Sequence, residues 1–312
     1  MTQTVVSVQL PVQESLAVQK NRITPAPERD SGKRICVITG IHGDELEGQY
    51  LAYRLNRALA AHPELLTATV DIYPAINPLG INSITRGIPL FDLDMNRVFP
   101  GDPNGAMVEH IACEVVEDIK GADIAIDVHA SNIFLTELPQ VRISEETAPR
   151  LVPLARELNI DFIWVHAAAT VLESTLAHSL NSAGTDCLVV EMGVGMRLTR
   201  SYGDQLLDGI LNLMRTQGMW LGETPKPREP IIGRDEVAFL NADAAGIFIP
   251  EVRHNHMVEK GQLLGVVADP LTGQDKELVT APEAGLLFTL RDYPVVYPGS
   301  LLGRILTGGF ER

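Results

Sequence analysis

Four short segments of this 312-residue chain carry side chains that could do chemistry together. In VITGIHGDELEG (37–48), a strand-like run ends in a glycine-flanked turn holding His42, and Glu45 follows at the opening of a helix-like run. That spacing lets an imidazole and a carboxylate converge on one cation, with Gly40 and Gly43 free to take unusual backbone angles or close approaches. The plainer reading is a helix start whose Asp44 and Glu45 sit near the positive dipole end. In ADIAIDVHAS (122–131), an apolar strand turns polar at Asp127 and His129, two residues apart and therefore on one side of a sheet. His129 would be a third ligand, with Asp127 orienting an imidazole from behind. A self-contained buried His–Asp pair is the competing reading.

The loop RGIPLFDLDMNRVFPG (86–101) holds Arg86, Asn96 and Arg97. Guanidinium groups near a metal can grip a carboxylate bidentately or polarise a carbonyl. Alternatively these arginines pair with Asp92 and Asp94 at the surface, where ion pairs contribute little. In CLVVEMGVGMRL (187–198), four apolar residues end at Glu191. A carboxylate there is costly unless solvated, paired or functional. Beside a metal it could be a general base for water; otherwise it pairs with Arg197 or caps a helix. Two imidazoles, one carboxylate and an open position form the catalytic pattern for zinc, whereas a structural site wants four protein ligands and usually Cys. Cys36, Cys113 and Cys187 are scattered and have no such company.

The elements that must position these groups alternate through the first two-thirds of the chain. Short β-branched runs at 34–39, 69–73, 124–128, 162–165 and 187–190 are separated by helical spacing at 45–61, 107–119, 146–158 and 203–217. This predicts an α/β fold whose central sheet is covered on both faces, with ligands gathering at strand ends. After Trp220 the proline-rich stretch GETPKPREP (222–230) reads as an extended linker. Beyond it, short apolar runs broken by Gly and Pro predict a small β domain. The division is therefore 1–222 for an α/β catalytic unit and 231–312 for a β-rich unit.

Bulk composition agrees with a folded, acidic protein. Hydrophobic residues make up 45% and charged residues 21%, and 25 basic against 40 acidic side chains leave a net charge of −15. That balance argues against a nucleic-acid or anionic-membrane partner, because phosphate binding needs clustered Lys and Arg. No apolar stretch approaches a spanning helix and no secretory signal opens the chain, so a cytoplasmic location is expected. Three unpaired cysteines fit a reducing compartment.

Together the segments GIHGDELEG, DMNRVFPG, DVHAS and VEMGVG resemble the succinylglutamate desuccinylase/aspartoacylase family of the zinc carboxypeptidase-like superfamily, in order and in spacing. The resemblance implies a three-layer α/β/α domain with a mixed central sheet, followed by a small all-β, barrel-like domain similar to biotinyl and lipoyl modules. It implies one Zn2+ per chain held by His42, Glu45 and His129, with Asp127 behind them. Glu191 would be the general base toward a metal-activated water, Arg86 would polarise the scissile carbonyl, and Asn96 and Arg97 would bind a carboxylate or other polar end. The implied activity is hydrolysis of a small N-acyl amino acid or related amide. The alternatives are a metallocarboxypeptidase acting on peptides and a non-catalytic ligand-binding member of the fold.

Three features depart from the family pattern. The arginine that the mammalian aspartoacylases place ten residues before the base is Asn181 here, and their Arg86-to-Asn96 interval is shorter. Their C-terminal tyrosine has only Tyr293 and Tyr297 as nearby counterparts. His254, His256, His166 and His178 read as polar or structural residues, Lys276 as an unmodified lysine, and Met192 and Met196 as core. Edges of the β domain could pair with or cap a second subunit, so a homo-oligomer is compatible with the sequence.

Overall fold

The computed structural model describes residues 1–166, 173–234 and 236–308. An N-terminal hairpin of β1 (Thr2–Gln9) and β2 (Ser15–Ile23) precedes β3 (Arg34–Thr39), α1 (Glu47–Ala61), β4 (Thr69–Ala75) and the short α2 (Pro78–Ser83). Then come α3 (Met107–Ile119), β5 (Ile124–His129), β6 (Leu135–Ser144) and α4 (Ala148–Ala155). The α/β part closes with β7 (Phe162–His166), α5 (Leu176–Ser182), β8 (Asp186–Gly193) and α6 (Arg200–Thr216). Past the proline-rich stretch lie β9 (Ile231–Arg234), β10 (Val237–Asn241), β11 (Gly246–Pro250), β12 (His256–Val258) and β13 (Leu263–Asp269). The last four strands are β14 (Gln274–Thr280), β15 (Gly285–Arg291), β16 (Val295–Val296) and β17 (Leu301–Leu306).

Four strands, in the order β4-β3-β5-β8, are parallel and form the centre of a large mixed sheet. Their period-two alternation sorts side chains between two cores. Ile35 and Val37 of β3 join Ile124, Ile126, Leu188 and Val190 against α1 and α6, while Cys36 and Ile38 face the other way, toward α3 and α5. Helices therefore cover both faces, which is why these strands carry nearly continuous apolar runs. Asp127, His129 and Glu191 fall on the α3/α5 side by the same alternation. They sit at the C-terminal ends of parallel strands, where an open α/β sheet leaves room for ligands.

Three strands were not expected from the sequence. β1 and β2 extend the sheet beyond β4, with β2 antiparallel to it. Their mixed polar and apolar residues obscure them, because Val6 alone is buried in β1. β6 lies antiparallel to β8 on the other side and carries Glu137, Gln140 and Arg142, polar residues that a strand reading discounts.

The C-terminal strands are divided between two sheets. β14-β13-β11-β16 form an antiparallel four-stranded sheet of their own, around Phe248, Leu264 and Val267. β15 instead pairs with β6, and β17 and β10 follow it, so the large sheet continues into the C-terminal part of the chain. No helix among the described residues is long and apolar enough to cross a membrane.

Candidate metal centre and its pocket

The turn between β3 and α1 brings the first two predicted ligands together. Gly40 has φ +66°, a left-handed angle that only glycine adopts freely. Gly43 lies so close to α2 that a Cβ would fall 1.9 Å from the carbonyl carbon of Gly80. α1 begins at Glu47 rather than at Glu45, because Glu45 belongs to the turn and its carboxylate folds back over His42. There Glu45 Oε1 is 2.7 Å from His42 Nδ1, and Glu45 Oε2 is 2.9 Å from His129 Nδ1. The two Nδ1 atoms are 3.3 Å apart. One ligand atom from each of the three buried residues lies within 4.8 Å of the others.

Each imidazole is backed by a carboxylate at its other nitrogen. Asp127 Oδ2 lies 3.2 Å from His129 Nε2, as the strand spacing predicts. Asp94 Oδ1 lies 3.0 Å from His42 Nε2, and this partner was not foreseen, because the sequence offers Asp94 only as a surface mate for arginine. Burial by itself would disfavour protonated imidazoles, yet both histidines are pushed up in pKa: His129 by Asp127 and Glu45, His42 by Asp94 and Glu45. Glu45 is buried, which alone would raise its pKa, but the two imidazoles hold it below the ordinary carboxylate range. Three carboxylates around two buried imidazoles make a centre that demands positive charge. A divalent cation that takes nitrogen and oxygen ligands answers that demand. The donor set thus fits zinc, with its three protein ligands and outer carboxylates.

Around this cluster lies a cavity of about 800 Å³. Arg86 lines it and donates from Nη1 to Glu45 Oε1 at 2.8 Å, with Asp94 at 3.6 Å. Asn96 is buried and accepts the N–H of Leu176 at its Oδ1 (3.0 Å), which ties the loop to the start of α5. Arg97 is exposed on the cavity wall and donates to the backbone oxygen of Asn96. Asn181 cannot replace the missing arginine: its amide is occupied by the Cys187 backbone and by Ala177, and Arg150 donates to its oxygen.

Glu191 lines the cavity beside an unforeseen group. Arg142 Nη1 is 3.4 Å from Glu191 Oε1, and Arg142 Nη2 donates to Glu137 Oε2 at 2.8 Å. Arg304 of β17 donates to the other oxygen of Glu137 at 2.6 Å, and Gln140 donates to Oε2 at 2.7 Å. Burial lifts the Glu191 pKa to about 7; Arg142 opposes the rise and Glu137 adds to it. Neither Arg142 nor Arg304 stands in a recognisable motif. The only signal was an arginine within each of two short segments that also carry apolar residues.

Other expectations fall away from the cavity. Arg197 pairs with Asp292 at 3.3 Å, not with Glu191. Tyr293 packs edge-on against Phe134, Tyr297 is 68% exposed, and neither lines the cavity. His254 meets the Tyr202 hydroxyl at 2.7 Å, His256 is exposed, and Lys276 pairs with Asp269 at 3.2 Å. His166 and His178 do line the wall. Met192 is core, but Met196 is half exposed rather than packed, because the chain turns there with φ +60°.

The model of the succinylglutamate desuccinylase/aspartoacylase catalytic domain matches residues 31–217, well over half of the chain. The chain belongs to this family. The chain is 25% identical to the N-alpha-acetyl-L-2,4-diaminobutyric acid deacetylase of Halomonas elongata, over 78% of this chain and 72% of that protein. Two solved structures share the fold, each with TM-score 0.82 and 21% identity. One is a succinylglutamate desuccinylase/aspartoacylase from Rhodobacter sphaeroides, matched over 100% of this chain and 96% of that one. The other is the product-bound ectoine utilization protein EutE (DoeB) from Ruegeria pomeroyi, matched over 97% and 93%. The coverage extends the family fold through the C-terminal strands.

Proposed function

We propose that this member of the family is a zinc-dependent deacylase that hydrolyses the amide bond of a small N-acyl amino acid. The observation that carries the reading is the convergence of His42, Glu45 and His129 at the floor of a cavity that Glu191 also lines. The Halomonas relative, named for deacetylating an acetylated diamino acid, supports the same bond and the same size of substrate.

His42, Glu45 and His129 would hold the cation, and Asp94 and Asp127 would fix the two imidazoles in the tautomer that leaves Nδ1 free. Bound there, zinc would supply a water that ionises near neutral pH and an electrophile for the carbonyl. Glu191 takes the proton from the attacking water and returns it to the departing nitrogen. A carboxylate whose pKa burial has raised above the ordinary range is suited to both transfers, since it can take up a proton and give it back near neutral pH. Arg86, the half-exposed cation beside the ligands, donates to the oxygen that becomes anionic. Asn96, anchored through its own oxygen, keeps its amide nitrogen for substrate, and Arg97 offers a guanidinium to a carboxylate. In this reading residues 1–222 carry the chemistry and 231–312 form a second unit that borders it.

The test is metal analysis of the purified protein coupled to an amine-release screen over N-acetyl, N-succinyl and longer N-acyl amino acids. Release of amine from one of these, lost on chelation and restored by zinc, is the expected outcome. Release of terminal residues from peptides with no action on acyl amino acids would replace the reading with a carboxypeptidase.

A further inference from the structure

We infer that Arg304, Glu137 and Arg142 form a positioning chain for Glu191, so that a strand from the far C-terminal part of the protein helps to align the catalytic base. The inference rests on the reading of Glu191 as that base.

The chain is built by sheet register. β8, β6, β15 and β17 are consecutive neighbours, and Glu137 stands opposite Gly193, Thr289 opposite Glu137, and Arg304 opposite Thr289. Directly opposed residues share a face. Thr289 is fully buried and small, so the Arg304 side chain reaches across it to Glu137. On the other side a register shift in β6 between Glu137 and Gln140 breaks the alternation. In a regular strand, residues 137 and 140 would point to opposite faces. The irregularity puts Glu137 on the face of Gln140 and Arg142, and Gln140 Nε2 meets Glu137 Oε2 at 2.7 Å. Gln140 is itself opposite Glu191.

The result is an alternating row of charges: Arg304, Glu137, Arg142, Glu191. Glu137 is 1% exposed and has both oxygens engaged, one by Arg304 and the other by Arg142 and Gln140. With its carboxylate held from both sides, Glu137 fixes one edge of the Arg142 guanidinium, whose central carbon lies over the Trp164 ring, 5.5 Å from the centroid. A planar fork held at one edge and one face presents its remaining nitrogen at a set place, and that nitrogen is the one facing Glu191. The Arg142 Nε is buried without a hydrogen-bond partner among the described residues, a cost tolerated in a group placed for another purpose. Arg304 is desolvated enough that its pKa is pulled down, which purely surface pairing would not do. Taken together, the four groups carry no net charge, and removal of Arg304 leaves the remainder negative beside the base.

Arg304→Gln and Arg304→Lys test the chain, with the best substrate from the acyl amino acid panel. Misplacement of a reacting group by an ångström can cost roughly 10²-fold in rate. We expect Arg304→Gln to lower kcat by about tenfold or more with KM within about twofold and zinc content retained in the folded protein, and Arg304→Lys to recover most of the loss. A crystal structure of Arg304→Gln should show the Arg142 guanidinium shifted from Glu191. Unchanged kcat with Arg142 still in place overturns the inference, as does a loss confined to KM. If Arg304→Gln does not fold, Arg142→Lys carries the same comparison, with the same outcomes deciding. Glu191→Gln is the control for the underlying reading: full activity in that variant removes the base itself, whereas an inactive control with a silent Arg304→Gln removes only the chain.

Discussion

Arg304 and Glu137 meet at 2.6 Å although 167 residues separate them in the chain. The contact crosses from β17 to β6 and ends one guanidinium away from Glu191. It makes the C-terminal strands part of the wall around the candidate metal centre, with consequences that can be measured.

Glu191→Gln should retain the fold and the bound zinc while losing about 10²–10⁴-fold in kcat, the usual contribution of a positioned acid–base group. Steady-state kinetics on protein of verified zinc content checks this. A variant as fast as the parent would remove Glu191 from the reaction.

The pH profile follows from the same carboxylate. Its pKa is lifted to about 7 by burial, and a base works only when deprotonated, so the rate rises as pH climbs through that value. A bound cation adds positive charge nearby and draws the pKa down. The acid limb of kcat/KM should therefore be centred between about 5 and 7 in the zinc enzyme and should disappear in Glu191→Gln.

Asp94→Asn and Asp127→Asn should each weaken zinc binding about 10–100-fold, as loss of an outer carboxylate commonly does. Competition against a chelating dye measures it. Equal affinity in both variants would mean that the imidazoles are held by the fold alone.

Gly43→Ala should disturb the same centre from behind. The added Cβ would lie 1.9 Å from the Gly80 backbone, so either the His42 turn or α2 must move. We expect a loss of about 1–3 kcal/mol of stability together with weaker zinc binding, read by thermal unfolding and metal titration.

Away from the pocket, Asp71 is fully buried among Lys20, Arg22 and Arg34, with Arg22 Nε at 2.7 Å. Burial alone would raise its pKa, but Arg22 and Lys20 outweigh it and hold the carboxyl below the ordinary value. A lowered folded-state pKa means that its stabilisation is present above about pH 4 and fades as pH falls through the folded value. Asp71→Asn leaves the buried Lys20 with only Asp118 and should cost about 3–5 kcal/mol at neutral pH, measured by denaturant unfolding.

Sequence alone pointed to an α/β core covered on both faces and to His42, Glu45 and His129 as candidate ligands. Long apolar runs mark strands buried on both faces, so β3 and β5 were legible almost to the residue, and β8 in its apolar half. His42, Glu45 and His129 were legible because each stands where such a run ends, and polar side chains are conspicuous there. Tertiary structure decided what surrounds them. Asp94 looked like a surface residue until the loop folded over His42, and β6 looked unlike a strand because its polar side chains are satisfied only by partners in β8 and β17. Local patterns record which residues are buried, but pairing between distant strands depends on register. A single extra residue in β6 was enough to turn Glu137 toward Arg142 and bring the end of the chain to the base.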